Sequence, residues 1–271
     1  MSAERTTVPK LTYDGWHIEI LWDNHDEAVQ WFEQYMGWKA RDQFKSGEND
    51  WFIMRRQTHL GFGTWIKSYI PKIRPHVLAD RTAIEGHVRW CWRTRDLEAV
   101  HSDFQNKGIR VTDLYAGPGG HYYFDFWATA EGVRLTAEGD DTIAEDAPLF
   151  VPSWTRIGVS DLQASIDWYS QYLGMQVAAT HMKEGYAVMH LALEHHPDDV
   201  STWVLERLPE GAHKECVNSP VRPYVVMHDT QEFQTYHNIL LQSGVKVSDM
   251  EGNVSLFHLY DPDGNRFTIS R

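Results

Sequence analysis

The sequence predicts an α+β protein in which four β-α-β-β-β modules pair into two domains. The first observation behind this fold class is a strand-then-helix unit near the start of the chain. Residues Gly15–Trp22 alternate in polarity, as in a strand with two different faces. Residues Asn24–Trp38 carry an apolar stripe at helical spacing. Asn24 is placed to cap this helix and Gly37 to end it.

The second observation is that this unit returns later in the chain. Trp168–Met175 matches Trp31–Trp38 position for position, so module three repeats module one. Gly244–Asp249 matches Gly108–Asp113, so module four repeats module two. A repeat of roughly 65 residues with one element order is a stronger signal than any single motif.

The elements of the first two modules can be placed in order. Module one adds two strand-like segments, Trp51–Met54 and Leu60–Ile66. Module two opens with a strand at Gly86–Trp92 and continues with a helix at Leu97–Asn106 that Gly108 ends. Its remaining strands are predicted at Ile109–Val111, His121–Trp127 and Val133–Glu138.

These elements predict two domains with short flanking segments. Residues 1–10 are predicted to be a polar tail, and the acidic segment 139–152 is predicted to be a linker. The N-terminal domain covers residues 11–138 (modules 11–70 and 85–138), and the C-terminal domain covers residues 153–271 (modules 153–209 and 221–271).

Composition narrows the partners and the compartment. A net charge of -13 argues against nucleic acid and against an anionic membrane surface. We find no apolar run of membrane-spanning length and no export leader, and Cys91 and Cys216 are far apart in no metal-type spacing. We therefore expect a cytoplasmic protein with a small-molecule ligand, no nucleic-acid or membrane partner, and a possible homodimer through exposed edge strands.

Three segments carry a resemblance to a known family. They are Gly158–Leu162 leading into Trp168–Tyr169, then Tyr172–Gly174, and the terminal Asp261–Arg266 with its Asp-Pro-Asp-Gly turn. With the four modules, they make the chain resemble the vicinal oxygen chelate superfamily, which contains glyoxalase I, bleomycin- and fosfomycin-resistance proteins and extradiol dioxygenases. The resemblance implies cupped sheets that hold a metal, with ligands from the first and last strands of the modules.

Carried over position by position, the resemblance implies a metal site in the N-terminal domain. The first-strand position falls on His17 in module one and on His87 in module two, where the following loop is about two residues longer. The last-strand position falls on Thr136, where metal-binding members usually carry glutamate, and Glu138 lies two residues on. Glu19 and His59 are alternative third ligands. The C-terminal counterparts are Trp154, Arg222 or Pro223, and Thr268, none of them a good ligand.

Period-two alternation supports a polar face without the family. In module two, Val88, Trp90 and Trp92 alternate with His87, Arg89 and Cys91. The later strands continue the polar face with two sets of residues, His121, Tyr123 and Asp125, and Arg134, Thr136 and Glu138. In a cupped sheet such a face lines the cavity.

These residues lead to two hypotheses. In the first, a divalent metal on His17, His87 and Glu138 acts as a Lewis acid on a small, oxygen-bearing substrate that we expect to be aromatic, as in a dioxygenase, lyase or isomerase. Fe(II) is favoured, and Mn(II), Ni(II) and Zn(II) also suit the ligands. Tyr123, His121 and Asp125 are the candidate catalytic groups, and Arg89, Arg134, Glu19 and Trp65 are the candidate substrate contacts. In the second, a metal-free protein of the bleomycin-resistance kind sequesters a ligand in an aromatic cleft.

Overall fold

The computed structural model describes residues 10–45, 55–70, 87–196, 198–212, 219–250 and 255–271. Helices and strands alternate through these residues, which confirms the α+β class. The α-helices within the described residues are α1 His25–Met36, α2 Leu97–Asn106, α3 Leu162–Leu173 and α4 Thr230–Gln242. The strands are β1 Thr12–Leu21, β2 Asp42–Lys45, β3 Arg55–His59, β4 Thr64–Tyr69, β5 Val88–Thr94, β6 Tyr115–Ala116, β7 Tyr122–Ala128, β8 Val133–Gly139, β9 Val151–Val159, β10 Gln176–His181, β11 Tyr186–Ala192, β12 Val200–Arg207, β13 Val221–Val226, β14 Leu256–Tyr260 and β15 Arg266–Ser270.

The chain divides into two compact units. The larger unit comprises Gly15–Ile157 and Val217–Arg222, and the smaller comprises Met1–Asp14, Gly158–Cys216 and Pro223–Arg271. In the larger unit, neighbouring strands run in the orders β1-β4-β3-β2 and β9-β5-β8-β7-β6. In the smaller unit, the orders are β14-β15-β13 and β10-β11-β12.

Aromatic side chains build the core of the larger unit. On β5, Trp90 and Trp92 lie on the apolar face with ring centroids 4.2 Å apart. Trp16 of β1 stacks on Trp90 at 5.0 Å, and its side chain is buried. Phe124 and Phe126 of β7 are buried as well. The predicted alternation is therefore confirmed for Trp90, Trp92, Phe124 and Phe126, whereas Tyr122, predicted on the same core face, is 62% exposed at the start of β7.

Most of the predicted helices and strands are confirmed, and three details of the prediction are wrong. Helix α2 has the predicted bounds, and Gly37 ends α1 at φ +70°. However, Asn24 makes no capping bond, because its amide donates to Glu131 Oε1 at 3.0 Å. The predicted strand at Leu60–Ile66 begins only at Thr64, because residues 61–63 turn with positive φ. The predicted strand at Ile109–Val111 is a single bridge from Val111 to Phe126. The strand predicted at Trp51–Met54 lies outside the described residues.

Helices α2, α3 and α4 each begin with an aspartate cap. Asp161 accepts a hydrogen bond from the backbone N–H of Ala164 at 3.0 Å, and Asp96 and Asp229 cap α2 and α4 in the same way. We expect Asp161→Ala to lower the free energy of unfolding by about 1 kcal/mol, because a helix N–H loses its acceptor. Asp161→Asn keeps an acceptor oxygen and should lose much less. Urea denaturation checks this, and equal losses in both variants would contradict the capping role.

Candidate anion-binding site

The polar face of the larger unit is rich in arginine. We call Arg89 of β5, Arg134 of β8 and Arg156 of β9, together with Asp125 of β7, the arginine face. Arg89 and Arg156 are register partners on the antiparallel strands β5 and β9. Asp125 and Thr136 are register partners on β7 and β8. Adjacent strands lie about 4.8 Å apart, so the pairing itself brings these side chains together.

Asp125 is the centre of the hydrogen bonds in this face. Its carboxylate is an acceptor for Arg134 Nε at 3.0 Å, Thr136 Oγ1 at 2.6 Å and Tyr115 OH at 2.9 Å. Arg134 Nη2 also pairs with it, and Arg89 Nη1 lies 3.8 Å away. Burial alone would raise the pKa of Asp125, but the charges of Arg89 and Arg134 and these hydrogen bonds hold it below its usual value. Asp125 is therefore an ionised acceptor.

Arg156 reaches the same centre through a tyrosine. Its Nη1 donates to Tyr115 OH at 2.9 Å, and Tyr115 in turn donates to Asp125. The Arg156 guanidinium also lies 4.7 Å from the centroid of the Tyr123 ring. Arg156 is only 1% exposed, and burial raises the pKa of Tyr115 to about 12, so the tyrosine stays a neutral relay. Sequence reasoning missed both Arg156 and Tyr115.

A second carboxylate lies on the same face with other partners. Glu138 is two residues beyond Thr136 on β8, and it pairs with Ser153 Oγ. His121 Nδ1 lies 3.7 Å from its Oε1. Burial raises the pKa of Glu138, opposed by Ser153 and His121. Glu138 is therefore a second carboxylate on this face, beside Asp125.

Comparison of the repeated modules shows that the charges at Arg89 and Arg156 differ from those at their counterpart positions. Glu19 lies twelve residues before Trp31, as Arg156 lies twelve before Trp168, so the two are counterparts. Cys91 pairs with Thr136 and Tyr224 pairs with Thr268, which makes Arg89 the counterpart of Arg222. Glu19 and Arg222 form a buried ion pair. At the counterpart position, Arg156 faces Arg89, so the neutral pair is replaced by two cations.

The structure does not bring the predicted metal ligands together. Arg93 is the register partner of Glu138, and His87 precedes Arg93 by six residues, which is about 20 Å of strand. That span exceeds the reach of two side chains to one ion. His17 lies on β1, in the other run of strands. Among the described residues, no three His, Cys, Asp or Glu side chains cluster as a metal site. The predicted ligand set therefore does not fit a metal.

Some of the other predicted site residues belong to the arginine face, and the rest make contacts that support the fold. Arg89, Arg134 and Asp125 converge as described above. Tyr123 is fully buried and donates to the carbonyl of Pro118 at 2.8 Å, which is a structural bond. Glu19 is held by Arg222. Trp65 stacks on His59, one of the alternative third ligands, with ring centroids 4.7 Å apart.

The fold and the site define a class: repeated β-α-β-β-β modules that present polar side chains on one face of the sheet. Residues 152–269 match the family described as Glyoxalase/Bleomycin resistance protein/Dioxygenase superfamily. This match confirms, over residues 152–269, the resemblance that the sequence carries. None of the curated proteins compared with the sequence matches it.

Two solved structures share the fold over nearly the whole chain. Glyoxalase I from Zea mays aligns with a TM-score of 0.64 at 14% identity, covering 96% of this chain and 92% of that one. A putative dioxygenase from Bacillus subtilis subsp. subtilis str. 168 aligns with a TM-score of 0.59 at 10% identity, covering 97% and 86%. At such identities the likeness establishes the fold alone. Within the described residues, no helix is long and apolar enough to cross a membrane.

Proposed function

We propose that the larger unit binds a small organic anion, with a carboxylate or a similar oxyanion held by the arginine face. The observation that carries this proposal is the register pairing of Arg89 with Arg156, beside Arg134. Guanidinium groups recognise carboxylates through two parallel N–H···O bonds, and these charge-assisted bonds are about twice as strong as neutral ones.

Partial exposure makes the proposed site reachable. The side chain of Arg134 is 27% exposed and that of Arg89 is 12% exposed, whereas Asp125 is 2% exposed. Two of the arginines therefore reach solvent, whereas Asp125 does not. Asp125 and Tyr115 hold the guanidinium groups in place, so little side-chain entropy is lost when an anion binds.

The register of the strands also supports anion binding without a metal at this site. The resemblance implies that the first-strand ligand position of module four falls on Arg222 or Pro223, neither of them a good metal ligand, and Arg89 is the counterpart of Arg222. An arginine in place of a metal ligand supplies a fixed positive charge directly. Its N–H donors can bind the oxygen atoms of a ligand.

Arg89→Met should weaken benzoate binding at least about tenfold, because it removes a charged donor from a largely dry site. Isothermal titration with benzoate, and with benzamide as its neutral isostere, checks this. Benzamide should bind more weakly than benzoate to the unmodified protein. Arg95→Met is the matched control, since Arg95 is exposed and pairs with Glu145 outside the arginine face. Equal benzoate affinity in the two variants would refute the site.

The same titration separates the two hypotheses. Under the present proposal, benzoate affinity is unchanged after exhaustive treatment with a chelator. If the chelator abolishes binding and Fe(II), Mn(II), Ni(II) or Zn(II) restores it, the arginine face is not sufficient, and the metalloenzyme hypothesis replaces this one.

A further inference from the structure

His121 is a half-exposed histidine beside the arginine face. Its Nδ1 atom lies 3.7 Å from Oε1 of Glu138, whose side chain is on the same face of β8 as that of Thr136, two residues earlier. The side chain of His121 is 45% exposed, whereas that of Glu138 is 4% exposed. His121 therefore lies next to the proposed anion site and within reach of solvent.

Three groups hold the imidazole ring in position. Glu138 approaches Nδ1, and Glu138 is itself held by Ser153 Oγ. The Trp154 ring meets the imidazole edge-on, with ring centroids 6.2 Å apart. On a third side, a Cβ atom added to Gly119 would lie 2.8 Å from His121 Cδ2, so the ring packs directly on the backbone there. A side chain that is held in advance loses little entropy when it binds a ligand.

The approach of Glu138 decides which ring nitrogen of His121 faces a ligand. A carboxylate beside Nδ1 favours the tautomer that carries its proton on that atom, and Nε2 is then a hydrogen-bond acceptor. The structure shows no hydrogen bond to Nε2 from any described residue. His121 therefore presents an acceptor at the edge of a face on which the arginines present donors.

Strand geometry sets the distance between the two ends of a ligand at this site. Asp125 pairs with Thr136 across β7 and β8, and the next pair on the same face is Tyr123 with Glu138. Two residues of an antiparallel strand span about 6.8 Å, and side chains stand roughly perpendicular to a sheet. A ligand that lies along β8, with its carboxylate at the first pair, therefore places a group one such span away beside His121. The para position of a benzoate ring comes close to this span, and the ortho position does not.

We propose that His121 selects a hydroxyl group on the ligand, so that the arginine face binds an aromatic acid with a para hydroxyl, as in 4-hydroxybenzoate. The carboxylate pairs with Arg89 and Arg134, and the hydroxyl donates a hydrogen bond to His121 Nε2. Glu138 and Gly119 are positioning residues, since they hold the imidazole and do not touch the ligand. This inference rests on the proposed function, because that function supplies the binding of the carboxylate.

Isothermal titration with 4-hydroxybenzoate, 4-fluorobenzoate and benzoate tests the inference. The fluoro compound carries a substituent of similar size at the same place but has no proton to donate. We expect 4-hydroxybenzoate to bind about fivefold more tightly than 4-fluorobenzoate, as one hydrogen bond in a partly exposed site allows. His121→Phe should abolish this preference and leave benzoate affinity nearly unchanged. His195→Phe is the matched control and should keep the preference, since His195 is an exposed histidine of the smaller unit with Nε2 3.2 Å from Asp14 Oδ1.

Two neighbouring glycines provide a second pair of variants. Gly119 and Gly120 have nearly equal φ values of +74° and +76°, but no heavy atom lies within 4 Å of a Cβ atom built at Gly120. Both alanine variants therefore carry similar backbone strain, and only Gly119→Ala displaces the imidazole. We expect Gly119→Ala to lose most of the preference for 4-hydroxybenzoate and Gly120→Ala to keep it.

The failure of this inference differs from the failure of the proposed function. If benzoate binds through Arg89 but 4-hydroxybenzoate and 4-fluorobenzoate bind equally, the anion site is retained and the role of His121 is refuted. A preference that survives in His121→Phe, or equal preferences in the two glycine variants, would also refute that role. If none of the three benzoates binds, the proposed function fails, and this inference fails with it.

Discussion

Asp125→Asn is expected to lower the free energy of unfolding by about 3 kcal/mol at neutral pH. The substitution keeps the shape of the side chain and one acceptor oxygen for Tyr115 and Thr136. It removes the charge that balances Arg89 and Arg134 at a position that is 2% exposed. Removing one partner of a buried ion pair leaves the other charge buried without compensation, which typically costs about 3 to 5 kcal/mol.

The pH dependence of this loss has a definite sign. The pKa of Asp125 is lower in the folded protein than in the unfolded chain, where it is about 3.9. Its ionised form therefore stabilises the protein above about pH 4, and this contribution disappears as the pH falls through the folded pKa. Urea denaturation between pH 3 and pH 7 should show the two proteins converging at the acid end. A constant difference across that range would contradict the electrostatic role.

The same variant also connects stability to the proposed function. Without the Asp125 carboxylate, the arginines should bind an added anion more tightly. Benzoate is therefore expected to restore part of the lost stability, and to stabilise Asp125→Asn more than the unmodified protein at equal concentration. Benzamide serves as the control and should stabilise neither. Equal stabilisation of both proteins by benzoate would argue against an anion site at Asp125.

Gly15→Ala is expected to cost at least about 3 kcal/mol, because the backbone leaves no room for a side chain. Gly15 has φ +108°, and a Cβ atom there would lie 2.2 Å from the carbonyl oxygen of Gly63. That oxygen accepts the backbone hydrogen bond of Trp16 at 2.8 Å, where β1 and β4 begin to pair. Relief of the clash therefore requires the two strands to separate at the start of their ladder.

Gly108→Ala provides the matched control for the glycine experiment. Gly108 also has a positive φ of +72°, but no heavy atom lies within 4 Å of its built Cβ. We expect a loss of about 1 kcal/mol, from the conformation alone. Thermal or urea denaturation of both variants compares the two costs. Similar losses would show that the approach of Gly15 to Gly63 is not what makes that glycine necessary.

Periodicity was sufficient to predict the module architecture. Helix α2 has the expected bounds because Leu97, Val100 and Phe104 recur at helical spacing and enter the core. The polar face of β7 and β8 was also predictable, since alternation alone places Asp125 with Arg134 and Thr136. These inferences depend only on local geometry, which the sequence encodes directly.

The sequence alone did not predict the register between neighbouring strands. Alternation places His87 and Arg89 on the same face, so it cannot decide which of them matches Arg222. The strand pairing makes Arg89 the counterpart and leaves His87 about 20 Å of strand from Glu138. Arg156 was missed for a similar reason, because its pairing with Arg89 joins strands from different modules. The exchange of Glu19 for Arg156 between repeats was readable in the alignment and is the signal that could have found it.

The most direct test of the central claim is a crystal of the protein soaked in 4-bromobenzoate, with data collected at the bromine absorption edge. Our account predicts an anomalous peak in the larger unit, with the carboxylate within hydrogen-bonding distance of the Arg89 and Arg134 guanidinium groups. The peak should be absent from crystals of Arg89→Met. Bromine density elsewhere in the protein, with none beside these arginines, would contradict the assignment of the arginine face as an anion site.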